Sequence, residues 1–383
     1  MPFSPITVMW IWNAMHFLAM GIAFPYFPVF LERGGLTPSQ IGLAFTISSV
    51  VSGFFSYYMG RLSDRAGRLK ILISTTLLAS LSYLLLSLGF DPITSVAIFT
   101  LLMMGGGAAN TIFTAYSIDV LERAGIPRGI GFARIRNGGN IGWIIGTLSG
   151  GALVSVFGLN PVFAVSALIV GAAALACVGL KEERRERREV GAEIRTLSLL
   201  KGVPGVFLLT MSLVMIVNAS IMNFLSLHLL NTHGASPFEI SAAFALMAIS
   251  DIPAMIYFGR LSDRIGRGPV LLLCLAVWPL RLALIGLSLD RTIVILAQSL
   301  SSLTFGGFFV VSIAYASEIV PEHMRGAYMG LYGATFSVGG IVGGYLWGSV
   351  IEATSYAEMF LYVAAFSTIP IALAGLTLRR REN

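Results

Sequence analysis

Two ionisable side chains of opposite charge lie deep inside long apolar runs, where a charge is costly and usually serves a function. Asp251 lies in AISDIPAMIYFGRL, eight residues before Gly259, and Arg281 lies in AVWPLRLALIGL, eleven residues after Val270. On helices these separations correspond to roughly 12 Å and 16 Å along the axis. The depths are close enough for an ion pair between consecutive helices. Such a pair could exchange protons, or it could only pin the two helices together.

A second buried cation, Arg136, lies in GFARIRNGGNIGW, and Asn140 follows it by four residues. This spacing places both side chains on one face of a helix. Arg134 lies about 200° around the same helix and is expected to extend towards lipid headgroups. If Arg136 and Arg281 both face a solute, two cations stand against one acid. That balance favours a ligand with a carboxylate or phosphate, although a neutral polyol remains possible.

Several uncharged or weakly basic polar residues also fall within apolar runs. They are His16, Asn110, Asn218, Asn223, Gln298 and Ser301. Each is a candidate to line a solute path, but asparagine and glutamine in a membrane can equally hydrogen-bond one helix to another. A lone histidine such as His16 is more often a packing residue than a proton carrier.

Composition identifies the elements that must position these residues. Hydrophobic residues make up 56% of the 383-residue chain and charged residues 11%, against roughly 25% charged in soluble domains. Apolar runs near twenty residues predict membrane-spanning helices, and the first is interpreted as a retained span because it lacks signal-peptide features. Twelve spans are predicted, at 5–30, 38–59, 71–89, 94–118, 131–156, 161–180, 204–230, 237–258, 270–289, 292–317, 326–350 and 357–377. The expected fold is an all-α integral membrane protein.

The basic residues are distributed unequally between the connections. Twenty of the 25 Lys and Arg residues fall on the side that carries GRLSDRAGRLK, the segment KEERRERREVGAEIRTLSLLK and the RRR tail. The positive-inside rule therefore predicts that both termini lie in the cytoplasm of a multi-pass cell-membrane protein. The central segment mixes both charge signs without an apolar face. We interpret it as a solvated linker rather than as a lipid or partner site.

The chain repeats itself after about 199 residues. GRLSDRAGR at position 60 returns as GRLSDRIGR at 259, GLTPSQIG returns as GASPFEIS, and AYSIDVL returns as AYASEIV. A period this long indicates a duplicated six-span unit. We therefore predict an N-terminal bundle (1–180), a linker (181–203) and a C-terminal bundle (204–383). Both halves enter the membrane in the same orientation, so pseudo-twofold symmetry and a midplane binding site between them are expected.

These loops and the duplication resemble the major facilitator superfamily of secondary transporters over nearly the whole chain. Asp251, the Leu–Arg pair at Arg281 and the stretch around Arg136 are similar to the lactose permease-like proton symporters. The resemblance implies that Arg136 contacts the solute and that Asp251 and Arg281 belong to a binding and proton network. Relatives often carry a histidine where this chain has Ser301, so a histidine-dependent proton path is not implied.

The repeated loop predicts a gate on the basic side. Gly60 and Gly259 are expected to let helices approach closely, while arginines of a short turn reach acids on neighbouring helix ends. The proposed gate residues are Gly60, Asp64, Arg65, Arg68, Asp119, Gly259, Asp263, Arg264, Arg267, Glu318 and Arg325. Two such charge clusters would hold that face closed, which alternating access requires. The simpler interpretation is a turn that obeys the positive-inside rule.

The residues together predict a proton-coupled symporter of a small polar solute such as a sugar, nucleoside or organic acid. The alternative is a drug or metabolite exporter working by antiport, although span 5 lacks the Gly–Pro pair of such exporters. No nucleophile or metal-ligand pattern indicates an enzyme, and Cys177 and Cys274 both lie in apolar runs. We expect no cofactor beyond a proton gradient, the lipid bilayer and a small solute as partners, no nucleic acid, and a monomer.

Overall fold

The computed structural model describes residues 4–180 and 199–378. Most of the expected linker and the RRR tail lie outside these residues. Twelve helices in the described ranges are long and apolar enough to cross a membrane, and we name them α1 to α12. Their bounds are Pro5–Arg33, Pro38–Ala66, Arg68–Leu88, Pro92–Arg123, Gly129–Phe157, Leu159–Cys177, Gly202–His233, Pro237–Ile265, Arg267–Leu287, Arg291–Glu318, Glu322–Ala353 and Tyr356–Gly375.

The predicted all-α membrane fold is confirmed, and most of the helices are longer than the apolar runs from which they were inferred. The difference is largest at the repeated basic segments. α2 continues through the charged residues to Ala66, and α3 begins at Arg68. A helix satisfies its own backbone hydrogen bonds whether lipid or water surrounds it, so hydropathy marks the membrane boundary rather than the helix end.

The turn expected between the second and third spans, over residues 60–70, is therefore wrong. Gly67 alone separates α2 from α3, with φ 107°, and Gly266 separates α8 from α9, with φ 92°. Side chains other than glycine rarely adopt such angles. Asp64 and Asp263 consequently lie inside the last helical turn rather than beyond it.

Two units share the described chain. The first comprises 4–36, 47–180 and 236–245, and the second comprises 37–46, 199–235 and 246–378. In the first unit α1 packs on α5 and α6, and α3 packs on α4 and α6. The second unit repeats these pairs six helices later, with α7 on α11 and α12 and α9 on α10 and α12.

Helix starts are also duplicated. Thr37 N–H donates to Gln40 Oε1 at 3.0 Å, and Ser236 N–H donates to Glu239 Oε2 at 2.8 Å. These are capping boxes, which explains why GLTPSQIG returns as GASPFEIS. Asp91 and Asp290 are equivalent N-caps of α4 and α10, and their carboxylates accept hydrogen bonds from the backbone amides of Thr94 and Thr292 respectively.

Small residues set the closest helix contacts. A Cβ at Gly138 or Gly150 in α5 would lie 2.6 Å from a backbone carbonyl of α1. A Cβ at Gly339 in α11 would lie 2.5 Å from a backbone carbonyl of α7. Glycine at these positions therefore permits close packing of α5 on α1 and of α11 on α7.

Candidate functional site

A buried arginine is the centre of the polar cluster in the second unit. Arg281 of α9 is 1% exposed and donates hydrogen bonds of 2.8 Å to Thr304 Oγ1 and Gln298 Oε1 of α10. Its Nη2 also lies 2.9 Å from Met247 Sδ of α8, and its guanidinium carbon lies 5.8 Å from the Trp278 ring centre. Neutral acceptors and an aromatic ring thus surround a charge that burial would otherwise penalise.

Asp251 lies beside this cluster but does not form the expected direct ion pair. It interacts electrostatically with Arg281, whose hydrogen bonds go to the neutral groups instead. Asp251 Oδ1 is buried and has no hydrogen-bond partner in the described structure. Ser301 and the Gly306 backbone of α10 face this carboxyl group, and a Cβ on Gly306 would lie 3.0 Å from Oδ1. Glycine therefore permits the close approach of α10 to Asp251.

The helix that supplies these contacts is irregular where it passes Asp251. Within α10 a 3₁₀ segment, Ala297–Leu300, is followed by a π-helical turn, Ser302–Gly307. A tight segment followed by a wide one lets the helix keep its overall register. π-turns are rare and occur frequently at functional sites. The charged cluster therefore coincides with this π-turn; a second π-turn, Gly339–Gly343, lies in α11 of the same unit.

The first unit presents an exposed polar face instead. Arg136 and Asn140 of α5 are exposed, as is Asn110 of α4. The two α5 side chains lie about 40° apart around the helix axis. The Arg136 guanidinium makes no ion pair or hydrogen bond with any residue that the structure describes. Exposed isoleucines of α5, at 141 and 145, lie on a different face from Arg136, about 140° and 180° away.

The remaining candidates fall into packed or intermediate positions. His16 is 7% exposed, and its ring stacks on Trp12 with centroids 4.8 Å apart. Asn223 is buried, and its Nδ2 has no partner among the described residues, whereas Asn218 is half-buried. Asn13, a turn before His16, donates to the backbone carbonyls of two α5 residues. Asn13 therefore ties α1 to α5 within the first unit.

Two equivalent ion-pair clusters occupy the basic ends of the helices. In the first cluster Arg68 binds Asp64 at 2.9 Å and Asp119 at 2.7 Å. In the second cluster the residues 199 positions later repeat the arrangement: Arg267 binds Asp263 at 2.6 Å and Glu318 at 3.2 Å. The central arginines are about one-fifth exposed. Each cluster joins three helices through one guanidinium, which has the donors to bridge two acids at once.

Other expected gate residues are placed differently. Arg65 and Arg264 are exposed and form no ion pair within the described ranges. Arg325 Nε donates to Ser317 O at 2.9 Å, at the adjoining ends of α10 and α11.

The close helix approach expected at Gly60 and Gly259 is wrong in this structure. A Cβ would meet open space at Gly60 and only ordinary contact, 3.5 Å, at Gly259. Their carbonyls instead accept hydrogen bonds from the buried hydroxyls of Ser63 and Ser262.

Three neighbours of Arg281 were not among the residues predicted from sequence, namely Met247, Trp278 and Thr304. Trp278 precedes Arg281 by three residues, and Met247 precedes Asp251 by four, so helical spacing alone could have indicated them. Thr304 could not be found this way, because its position depends on the π-turn of α10. Its hydroxyl accepts a hydrogen bond from Arg281 and donates one to the Leu300 carbonyl oxygen at 3.1 Å.

Comparisons with known proteins agree with this architecture. The sequence matches the family described as MFS_1 like over residues 10–362. An uncharacterized MFS-type transporter of Methanocaldococcus jannaschii, MJ1560, is 22% identical over 98% of both chains. The multidrug resistance protein MdtG of Citrobacter koseri is 26% identical over 71% of this chain and 70% of its own.

Solved structures show the same fold at low identity. The nucleoside transporter NupG superposes with a TM-score of 0.82 at 16% identity, covering 97% of this chain and 98% of its own. A bacterial homologue of the human lysosomal transporter Spinster gives 0.79 at 14% identity, over 98% and 96% of the two chains. With the twelve spans and duplicated clusters, these matches establish that the chain belongs to the MFS_1-like family of the major facilitator superfamily and is a multi-pass membrane transporter, not an enzyme.

Proposed function

We propose that this transporter imports a small polar organic solute together with protons, by alternating access. The observation that carries the proposal is Arg136, an exposed guanidinium well inside α5 without a partner among the described residues. Leaving a charge at that depth without an internal partner makes sense if a ligand binds it. Asn140 on the same face and Asn110 add hydrogen-bonding groups suited to hydroxyl, carbonyl or carboxylate oxygens.

The second unit supports the coupling to protons. Asp251 is the acid next to a fully buried arginine, and its Oδ1 lacks a hydrogen bond. A carboxyl group at this buried position can take up and release a proton. Arg281, by contrast, already has protein acceptors for its Nη groups. We therefore assign solute contact to Arg136 and proton binding to Asp251, with Arg281 as the positioning residue.

We also propose that the basic side faces the cytoplasm of the cell membrane and that the transporter works as a monomer. The positive-inside rule supports the orientation. On that assignment the two ion-pair clusters lie at the cytoplasmic ends of the helices, where they would hold that side closed during outward opening. Loss of either cluster would then favour the inward-open state.

A second candidate function is efflux of drugs or metabolites in exchange for protons. The multidrug resistance relatives, 26% identical over 71% of the chain, favour it. NupG is a nucleoside transporter, but its 16% identity to this chain supports the fold alone. Direction and solute must therefore be measured together.

The test uses purified protein in liposomes with an imposed pH gradient of either sign. Labelled nucleosides, sugars, organic acids and a cationic dye form the solute panel. We expect one polar class to accumulate when the interior is alkaline, with Arg136→Met abolishing uptake and Arg134→Met, two residues away, retaining it. Accumulation driven only by an acidic interior would instead support exchange. Equal uptake by both variants would remove Arg136 from the solute site.

A further inference from the structure

The duplication allows the charged cluster to be compared with its counterpart in the first half. At the offset of 199, Asp251 corresponds to Ser52, and Gly306 corresponds to Gly107. Both pairs are in close contact: a Cβ at Gly107 would lie 2.5 Å from Ser52 Oγ, and a Cβ at Gly306 would lie 2.9 Å from Asp251 Cα. The approach of helix to helix is thus the same in both halves.

The hydrogen bonding at the two contacts differs. Ser52 Oγ–H donates to the backbone carbonyl of Met103 in α4 at 2.7 Å. The counterpart of that acceptor is Ser302, the first residue of the π-turn in α10. An ionised Asp251 cannot donate to a carbonyl, whereas a protonated one can, because its acid carries an O–H. The structure shows Asp251 Oδ1 without a partner.

The winding of the two helices differs at the same place. α4 is a regular α-helix from Pro92 to Arg123, whereas α10 is π-helical over Ser302–Gly307. This turn includes both the counterpart of the acceptor and the glycine that touches Asp251. The regular helix α4 therefore accompanies Ser52, whose hydroxyl has its acceptor. The irregular turn of α10 accompanies Asp251, whose Oδ1 has no hydrogen bond.

We propose that Ser302–Gly307 is a proton-controlled turn. When Asp251 is protonated, it donates a hydrogen bond to the Ser302 carbonyl, and the turn winds as an α-helix. When Asp251 is ionised, it faces Ser301 and the Gly306 amide, and the turn stays π-helical. Arg281 of α9 is the charged group that faces Asp251, and the facing residues of α10, Ser301 and Gly306, do not titrate.

Through this turn, protonation of Asp251 in α8 would change the contacts of Arg281. Thr304 lies inside the turn and accepts from Arg281 Nη1, so rewinding Ser302–Gly307 changes what that guanidinium binds. The role in transport rests on the proposed proton coupling. The switch itself does not, because it is a property of the solute-free protein.

Hydrogen–deuterium exchange of the purified protein tests the switch without transport. We expect amide protection over residues 302–307, corrected for the intrinsic pH effect, to differ about five-fold between acidic and alkaline buffer, the effect of one net hydrogen bond. Asp251→Ser copies the first half and should fix the protected state at both pH values. Asp251→Asn, whose amide donates without titrating, should do the same if the serine variant folds poorly.

Ser52→Ala provides the matched control in the first half. It should lower the protection of α4 near Met103 equally at both pH values and leave the pH response of α10 intact. A wild-type protein without the pH response, or an Asp251→Ser variant that keeps it, would overturn the switch. If exchange follows pH but uptake ignores the proton gradient, the switch stands and the proposed coupling fails.

Discussion

Replacing Arg281 or Arg136 by methionine should separate an arginine that stabilises the fold from one that binds a ligand. Arg281→Met removes charged hydrogen bonds to Gln298 and Thr304, each worth about 1.5–3 kcal/mol. It also leaves Asp251 buried without a neighbouring opposite charge, which adds to this loss even though the two groups make no direct ion pair. Methionine recovers some packing, so we expect a net loss near 3–5 kcal/mol. Arg136→Met should stay within about 0.5 kcal/mol of wild type, because the Arg136 side chain is exposed and makes no ion pair or hydrogen bond with the described residues.

The protein carries its own reporters for this measurement. Cys177 and Cys274 are both fully buried, so a thiol-reactive dye fluoresces only as the helices come apart. Thermal ramps in detergent rank the variants, and SDS titration with the same readout gives the free energies of unfolding. Solute binding, measured on the same samples, should be lost in the Arg136 variant.

Equal stability of the two variants would contradict the different roles assigned to Arg281 and Arg136. A double variant, Arg281→Met with Asp251→Asn, sharpens the test. Neutralising both groups leaves no lone buried charge, so the double variant should be more stable than Arg281→Met alone. If the two effects simply add, Asp251 and Arg281 are not coupled.

Three further changes probe the scaffold. Gly339→Ala should lower the free energy of unfolding by about 1–3 kcal/mol, because the added methyl overpacks against α7. Gly333→Ala has open space around its Cβ and should raise it by up to about 1 kcal/mol through helix propensity. The thiol-dye assay measures both. Gly67→Ala should lower the free energy of unfolding by about 1–2 kcal/mol in the same assay, because alanine is strained at a φ of 107°. A Gly67→Ala variant as stable as Gly333→Ala would contradict this. Arg68→Ala should speed alkylation of cysteines introduced at the basic ends of α3 and α4, while Arg65→Ala should not; equal rates would mean that the first cluster does not hold these helices.

Hydropathy and repetition were sufficient for the fold, because a membrane allows few ways to satisfy a backbone. That arginines of the repeated segments reach Asp119 and Glu318 also followed from sequence, since the repeat placed equivalent charges at equivalent helix ends. Which arginine of each segment does so did not follow. The direct ion pair of Asp251 and Arg281 did not follow. Depth along two helices fixes height but not rotation, and competing acceptors such as Gln298 on a third helix were outside that argument.

The irregular winding of α10 was beyond prediction for a different reason. No proline occurs between positions 291 and 318, and a π-turn depends on tertiary contacts rather than on local propensity. Gly306 and Gly307 permit the turn without requiring it, since the first-half glycines at 105–107 belong to a regular helix. The two helices differ in the residue that packs against them. Ser52 donates a hydrogen bond to the backbone of α4, whereas Oδ1 of the corresponding Asp251 has no hydrogen-bond partner in the described structure.

Features that occur twice and features that occur once therefore have different physical meanings in this protein. The capping boxes, the single-glycine turns and the ion-pair clusters appear in both halves because each half must begin, reverse and fasten its helices in the same way. Asp251 and Arg281 appear once, at positions where the first half has Ser52 and Ser82, whose hydroxyls donate to backbone carbonyls. Folding evidently does not require charges at these positions, since serines serve the first half. The charges that one half has and the other lacks are accordingly the ones to connect with protons and solute.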